Sequence, residues 1–198
     1  MKNYFKCILI VTSLLFYGIV TSQEKPIRIG LKIGFPNIVG GNVEYVTPLL
    51  DNKLAFSADY SSLKADSFLD PDKGEVSYFQ VGVNYYLFKD GKGLYLSANY
   101  GVLDAELTLQ DIESDTEFDK YGTAFSSLSN TSINVKIGAK LGGFFYFRPE
   151  VGYGFTSLDP TVDVVVNFPD GTSENQPEEI PEELTKGLMF NIGFGFSF

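Results

Sequence analysis

The chain reads as an all-β protein, an eight-stranded antiparallel up-and-down transmembrane β-barrel, and three observations lead there. The last twelve residues, 187–198 (GLMFNIGFGFSF), separate their two faces: Phe190, Ile192, Phe194, Phe196 and Phe198 lie on one side of an extended chain, Asn191, Gly193, Gly195 and Ser197 on the other. Segments with the same two-residue period recur along the sequence, and none of their apolar rows carries a charge. The connections between them alternate between short and long, the pattern of a barrel with one plain and one elaborated end.

Residues 1–22 read as an export signal. Lys2 and Lys6 precede an apolar run over 8–20, and Val20-Thr21-Ser22 offers small residues for cleavage. A spanning helix takes about 20 apolar residues and no stretch supplies them, so membrane residence has to come from strands. Cys7, the sole cysteine, stands before the apolar run, and lipid attachment is not expected. Residues 23–198 then form one domain without a thiol, which excludes disulfides and thiolate metal sites. Removing Lys2 and Lys6 takes the formal charge from −10 to −12, and a chain that acidic does not bind nucleic acid.

The first strand, 27–35, sets Ile27, Ile29, Leu31 and Ile33 against Arg28, Gly30, Lys32 and Gly34. A short second strand, 42–47, contains Glu44. The third, 54–63, opposes Leu54, Phe56, Ala58 and Tyr60 to Ser57, Asp59 and Ser61, and the fourth, 75–88, opposes Phe79, Val81, Val83 and Tyr85 to Gln80, Gly82, Asn84 and Tyr86. In the fifth, 94–103, Leu94, Leu96, Ala98, Tyr100 and Val102 face away from Tyr95, Ser97, Asn99 and Gly101. The sixth, 132–141, separates Ile133, Val135 and Ile137 from Asn134, Lys136, Gly138 and Lys140. The seventh, 144–156, separates Phe145, Phe147, Val151 and Tyr153 from Arg148, Glu150, Gly152 and Gly154. The eighth is 187–198. Connections 48–53, 89–93 and 142–143 make the plain end; 36–41, 64–74, 104–131 and 157–186 make the other.

A basic residue on a lipid face costs about 2–4 kcal/mol near the bilayer midplane, and all five of these strand cations sit in the opposite register. Pro149 falls inside the seventh strand, where a closed barrel has no free edge to tolerate a missing N–H, and a bulge is expected there. Residues 162–168 (VDVVVNF) predict a short strand in the last connection. It is either one arm of a hairpin extending the barrel wall or an exposed edge for a partner's strand. Residues 172–183, polar and Pro-containing, are expected to be mobile.

The export signal, the eight segments, the stretch Phe147-Arg148-Pro149-Glu150-Val151-Gly152-Tyr153-Gly154 and the terminal Phe198 together resemble the small outer-membrane β-barrel family of OmpA/OmpX type, over essentially all of residues 23–198. The resemblance implies residence in the outer membrane of a Gram-negative bacterium, surrounded by outer-membrane lipid. It also implies handling by the barrel-assembly machinery, with Phe194, Phe196 and Phe198 as the assembly signal. The periplasmic peptidoglycan-binding domain of some relatives is not expected after Phe198. A monomer without cofactors is expected.

Histidine is absent. Outer-membrane proteases, phospholipases, deacylases and palmitoyl transferases resemble one another in using histidine for proton transfer, so catalysis is not expected. Ser57, Asp59 and Ser61 share a strand face, but neighbours at i and i+2 stand about 7 Å apart and nothing activates the hydroxyls. The inward charges form the main constellation: Arg28, Lys32, Lys136, Lys140 and Arg148 against Glu44, Asp59 and Glu150. They either pair within a filled interior or line a narrow anion path. Carboxylates crowd the long connections. Asp70, Asp72 and Glu75 are the densest set and the only metal candidates, set against the plainer reading of a solvated, self-repelling surface.

The expected function is non-enzymatic: a structural role, or contact with an extracellular ligand or protein through acidic loops. A small gated channel is one alternative. A secreted, soluble lipocalin-like barrel, with its apolar row turned inward around an apolar ligand, is another. Gly, Asn and Ser on the polar face favour the membrane.

Overall fold

Period-two alternation becomes ten strands in the computed structural model, which describes residues 25–64, 73–155, 159–180 and 185–198. They are β1 Ile27–Phe35, β2 Ile38–Val46, β3 Leu54–Lys64, β4 Lys73–Tyr86, β5 Gly93–Glu113, β6 Tyr121–Gly142, β7 Phe145–Gly154, β8 Thr161–Asn167, β9 Ser173–Glu179 and β10 Leu188–Ser197. Eight of them close a barrel in the order β5-β4-β3-β2-β1-β10-β7-β6, with β6 pairing back onto β5 and every ladder antiparallel. Chain ends meet at the closing seam, where Leu31 lies opposite Phe194 and Phe35 opposite Phe190. The wall therefore leaves no open edge.

The two faces of that wall are inverted relative to a soluble barrel. Leu31 is 62% exposed, Phe190 62% and Ile133 60%, whereas Lys136 is 2% exposed and Arg148 0%. Aliphatic residues fill the middle of the outer belt and aromatics border it. Phe144, Phe145, Phe196 and Phe198 cluster with ring centroids 5.3 to 5.9 Å apart at the plain end. Tyr60, Phe79, Tyr100 and Tyr153 are exposed toward the other. The apolar row of β10 runs from Leu188 to Phe198. At about 3.3 Å per residue and a tilt near 40° it covers roughly 25 Å, the height of an outer-membrane apolar band. The inward orientation required by a lipocalin-like carrier is overturned by these exposures.

An eight-stranded wall encloses only enough room for side chains. Tyr78, Tyr86, Tyr95 and Tyr146 fill it, each buried. Their rings fit because glycine faces them on adjacent strands. A Cβ at Gly138 would strike the Tyr95 ring, and one at Gly195 would strike Tyr146.

Four expectations are corrected. The second strand begins at Ile38 instead of residue 42, so the connection expected over 36–41 shrinks to Pro36 and Asn37 and is as tight as any at the plain end. Residues 104–131 are not a loop. β5 and β6 run on as a hairpin of 21 and 22 residues, standing beyond the wall. Pro149 makes no bulge: the β6–β7 register is the same on both sides of it, with Gly138 opposite Glu150 and Leu141 opposite Phe147, and only the ladder contacts of Ala139 and Lys140 are missing. The segment expected to be mobile holds β9, paired along its length with β8.

Gly138→Ala should push Tyr95 away from Glu150 and destabilise the barrel by about 1–3 kcal/mol, the usual cost of overpacking. Gly143→Ala, at a turn with open space around it, should be near neutral. Urea unfolding in lipid vesicles measures both.

Candidate functional site

The lumen is stacked in hydrogen-bonded layers. Nearest the plain end, Glu44 sits between two guanidinium groups, accepting from Arg28 Nη1 and lying 2.9 Å from Arg148 Nη2. Asn84 Nδ2 donates to the same carboxylate at 2.6 Å and the Tyr86 hydroxyl at 2.9 Å. Arg28 also donates to the carbonyl of Gly91, tying the β4–β5 turn to the lumen floor. In the next layer Lys32 Nζ lies 2.7 Å from Asp59 and 3.0 Å from Glu150, and Lys136 shares Glu150 at 3.5 Å. Tyr95 donates to the other oxygen of Glu150. Asn42 joins the two layers, accepting from Arg148 at 3.2 Å and donating to Asp59. Above them Gln80 reaches Asp59, and Tyr78 links Gln80 at 3.0 Å to Asn134 at 2.8 Å.

Every member of the inward constellation thus lies on the lumen side of the wall. Lys140 stands apart at the floor, 3.5 Å from the Gly143 carbonyl and 5.1 Å from the Tyr146 ring centroid. Sequence reasoning names the charges and misses the polar partners that join them. Tyr86 and Tyr95 are the available signal, because each interrupts a face otherwise built of Gly, Ser and Asn. Asp59 is occupied by Lys32, Asn42 and Gln80, Glu44 opposite Ser57 is taken by Arg28, Arg148, Asn84 and Tyr86, and among the described residues neither Ser57 nor Ser61 hydrogen-bonds to a carboxylate.

Of the metal candidates, Asp70 and Asp72 lie outside the described residues, and Glu75 pairs with Lys64 at 3.0 Å. Among the described residues no group of three or more carboxylate or thiol side chains is arranged to hold a metal ion. Residues 1–22 also lie outside the described residues. Phe194, Phe196 and Phe198 point outward on the last strand.

Above the lumen the extended β5–β6 hairpin meets the β8–β9 hairpin and forms a cap. β6 pairs with β8 from Thr123 opposite Asn167 to Ser126 opposite Val164, and β9 covers the far side of β8. With both its edges taken, β8 is not open to a partner's strand. The four strands curl: Glu174 on β9 accepts from the Ser114 hydroxyl at 2.8 Å and the Asp115 amide at 3.2 Å, and Gln176 donates to the Glu113 carbonyl at 3.3 Å. Ala124, Val166 and Phe168 pack inside the curl against Leu109, Ile112 and Val164. Lys120 closes the tip, 3.0 Å from both Asp170 and Glu117 and 4.7 Å from the Phe168 ring centroid.

No family model and no curated protein sequence matches the chain. Among solved structures it is similar to CarO of Acinetobacter baumannii, at 14% identity and a TM-score of 0.47 over 90% of this chain and 100% of that one. It is also similar to a major outer membrane protein from Thermus thermophilus, at 14% identity and a TM-score of 0.40 over 87% of this chain and 99% of that one.

Glu44→Ala leaves two buried guanidinium groups without their shared counter-charge and should cost about 3–5 kcal/mol in vesicle unfolding assays. In the cap, hydrogen bonds from the Thr172 hydroxyl and amide, then from Lys120, hold the Asp170 carboxyl down at about 2 from an ordinary 3.8. A depressed carboxylate stabilises above its unfolded-state pKa and loses that contribution as pH falls through the folded value. The Lys120–Asp170 clasp should therefore persist at about pH 4 and open as pH falls through about 2, read from the Thr172 amide signal by NMR.

Proposed function

We propose that this protein is a non-enzymatic outer-membrane β-barrel of OmpA/OmpX-like architecture, closed to solutes through its wall and acting through the cap it holds above the bilayer. One observation carries the reading: the outward face of the wall is uncharged and apolar while Arg28, Lys32, Lys136 and Arg148 are buried inside it. Water on the outside would leave a large apolar patch, which monomeric soluble proteins avoid, and hydrocarbon on the outside explains both faces at once. Closure into a barrel satisfies the backbone hydrogen bonds that lipid cannot. On this reading Phe194, Phe196 and Phe198 present the aromatic row to the assembly machinery, and 1–22 directs export.

The closed lumen follows from its contents. Arg148, Tyr78, Tyr86, Tyr95, Tyr146 and Lys136 are among the largest fully buried side chains in the protein. Their layers cross the interior from wall to wall and pair every lumen charge except Lys140 with an opposite charge, while Arg28 Nε, Arg148 Nε and the Tyr146 hydroxyl are buried without a partner.

The full-length protein should remain with the envelope on fractionation, migrate faster unboiled than boiled, and give no steady conductance in a planar bilayer. Ile137→Arg, on the outer face, should cost about 2–4 kcal/mol in a lipid-facing position. A surface substitution in water would stay within about 0.5 kcal/mol. A soluble product would overturn the membrane reading, and steady single-channel steps would overturn the closed lumen.

A further inference from the structure

The alternation in β5 changes phase as the strand leaves the wall. From Leu94 to Val102 the even-numbered residues are apolar and face outward; from Leu103 to Leu109 the odd-numbered ones are apolar and continue the lumen-side face, Leu107 among them 39% exposed, with Asp104, Glu106, Thr108 and Gln110 on the other face. The inner face of the barrel is thus polar within the wall and apolar above it. Pairing carries this change around the mouth in a single row, Leu63 opposite Val76, Val76 opposite Ala105 and Ala105 opposite Leu128.

Higher in the cap the same inner face lines a cleft of about 200 Å³, walled by Leu107, Leu109, Ile112, Ala124, Val162 and Val164. Its size suits a small guest, since an apolar cavity of roughly 150 Å³ takes up benzene. Glu178 is the only charged residue lining the cleft, and none of the described residues hydrogen-bonds or ion-pairs with its carboxylate. Around it, the described residues of segments 64–75, 104–131 and 155–187 carry fourteen carboxylates against four lysines, a field that draws in cations and repels anions.

We infer that this cleft is a binding site for a small amphipathic cation, its alkyl or aromatic body held between β5 and β8 and its ammonium group beside Glu178. The apolar wall supplies burial, the unpaired carboxylate supplies orientation, and the acidic surround supplies selectivity by charge. The inference rests on the cap being the solvent-facing end of a membrane barrel, the reading proposed above.

The test uses the full-length protein in zwitterionic lipid nanodiscs at neutral pH, titrated with hexylammonium, 1-hexanol and hexanoate while the amide signals of Leu109, Ala124 and Val164 are followed by NMR. Saturable shifts are expected in the order hexylammonium, hexanol, hexanoate. Glu178→Gln should weaken hexylammonium about threefold, to the level of hexanol, as the loss of one partly exposed ion pair predicts. Ser126→Phe, which places a ring in the cleft, should abolish the shifts for all three. Absence of saturation, equal binding of hexanoate and hexylammonium, or shifts that persist in Ser126→Phe would overturn the site. Envelope fractionation and heat-dependent gel mobility of the same variants report on the membrane reading separately, so its failure is distinguishable from an empty cleft.

Discussion

A wall of eight strands encloses a space too narrow for bulk water and too strongly bordered by backbone to remain empty, and the rest of this molecule answers to that constraint. Half of each wall strand's residues must enter the lumen. They are therefore glycines and other small residues that leave room, such as Ala55 and Ser97, or larger side chains that fill it, most of them polar. Charge is placed sparingly: three carboxylates serve four of the five cations because Glu44 and Glu150 each lie between two, and Lys140 stands apart at the floor. A lone guanidinium at zero exposure would cost more than most single contacts return, so a lumen of this kind assembles as one network. Asn42 and Tyr95 make it one: Asn42 bonds Arg148 and Asp59, and Tyr95 donates to Glu150 while its ring packs on Arg148 and Tyr86.

The constraint ends where the wall ends. Above the mouth no neighbour stands opposite to fill the interior, and the strands that continue, β5 and β6, have to build a new inside. They do so by reversing which face is apolar. Lipid no longer covers the outer face there, so Asp104 and Glu106 turn to water and Leu107 and Leu109 turn inward toward β8. The register shift between Leu109 and Ile112, with Asp111 at φ 57°, bends the strand over the small core around Phe168. The two parts of one strand thus follow two solvents.

That reversal also explains what the sequence makes legible. Wall strands are legible because lipid outside and a crowded interior impose the same strict alternation on each of them, and the closing strand announces itself in the Phe190 to Phe198 row. From the sequence the fifth strand ends at residue 103 because Val102 and Leu103 are adjacent apolar residues, which breaks a period of two. A phase change within a continuing strand looks the same as a stop when only one solvent is assumed. The second strand looks short for the opposite reason: Val39, Gly40 and Gly41 offer too little contrast between faces to show the alternation that their pairing with β1 establishes. Residues 172–183 look like a solvated linker because β9 is held by backbone pairing to β8 and by Glu174 and Gln176 reaching the hairpin tip, interactions that leave no apolar pattern. The lumen charges are legible as inward-facing. Their tyrosine and amide partners are not, since which polar residues meet across a barrel depends on the stagger of all eight strands.

Charge is divided along the barrel axis in the same way as polarity. The described residues carry thirteen cations and nineteen anions, a formal −6, but five of the cations and three of the anions are locked in the lumen as a net +2, so the rest of them carry −8. The turns and ends at the plain side hold Lys25, Lys53, Lys89 and Lys92 against Asp51 and Asp90, a net +2. The described residues of the elaborated end therefore carry −10, more than the −6 of the described residues together. A wall that shelters its cations and a cap that displays its anions give the molecule a strongly directed field. That field falls off within about 10 Å in ordinary salt, so it acts only on what has already come close to the cap. With the lumen filled, a solute attracted there meets an apolar cleft at the end of the field instead of a pore, and an electrostatic approach followed by apolar capture is the sequence of events this arrangement supports.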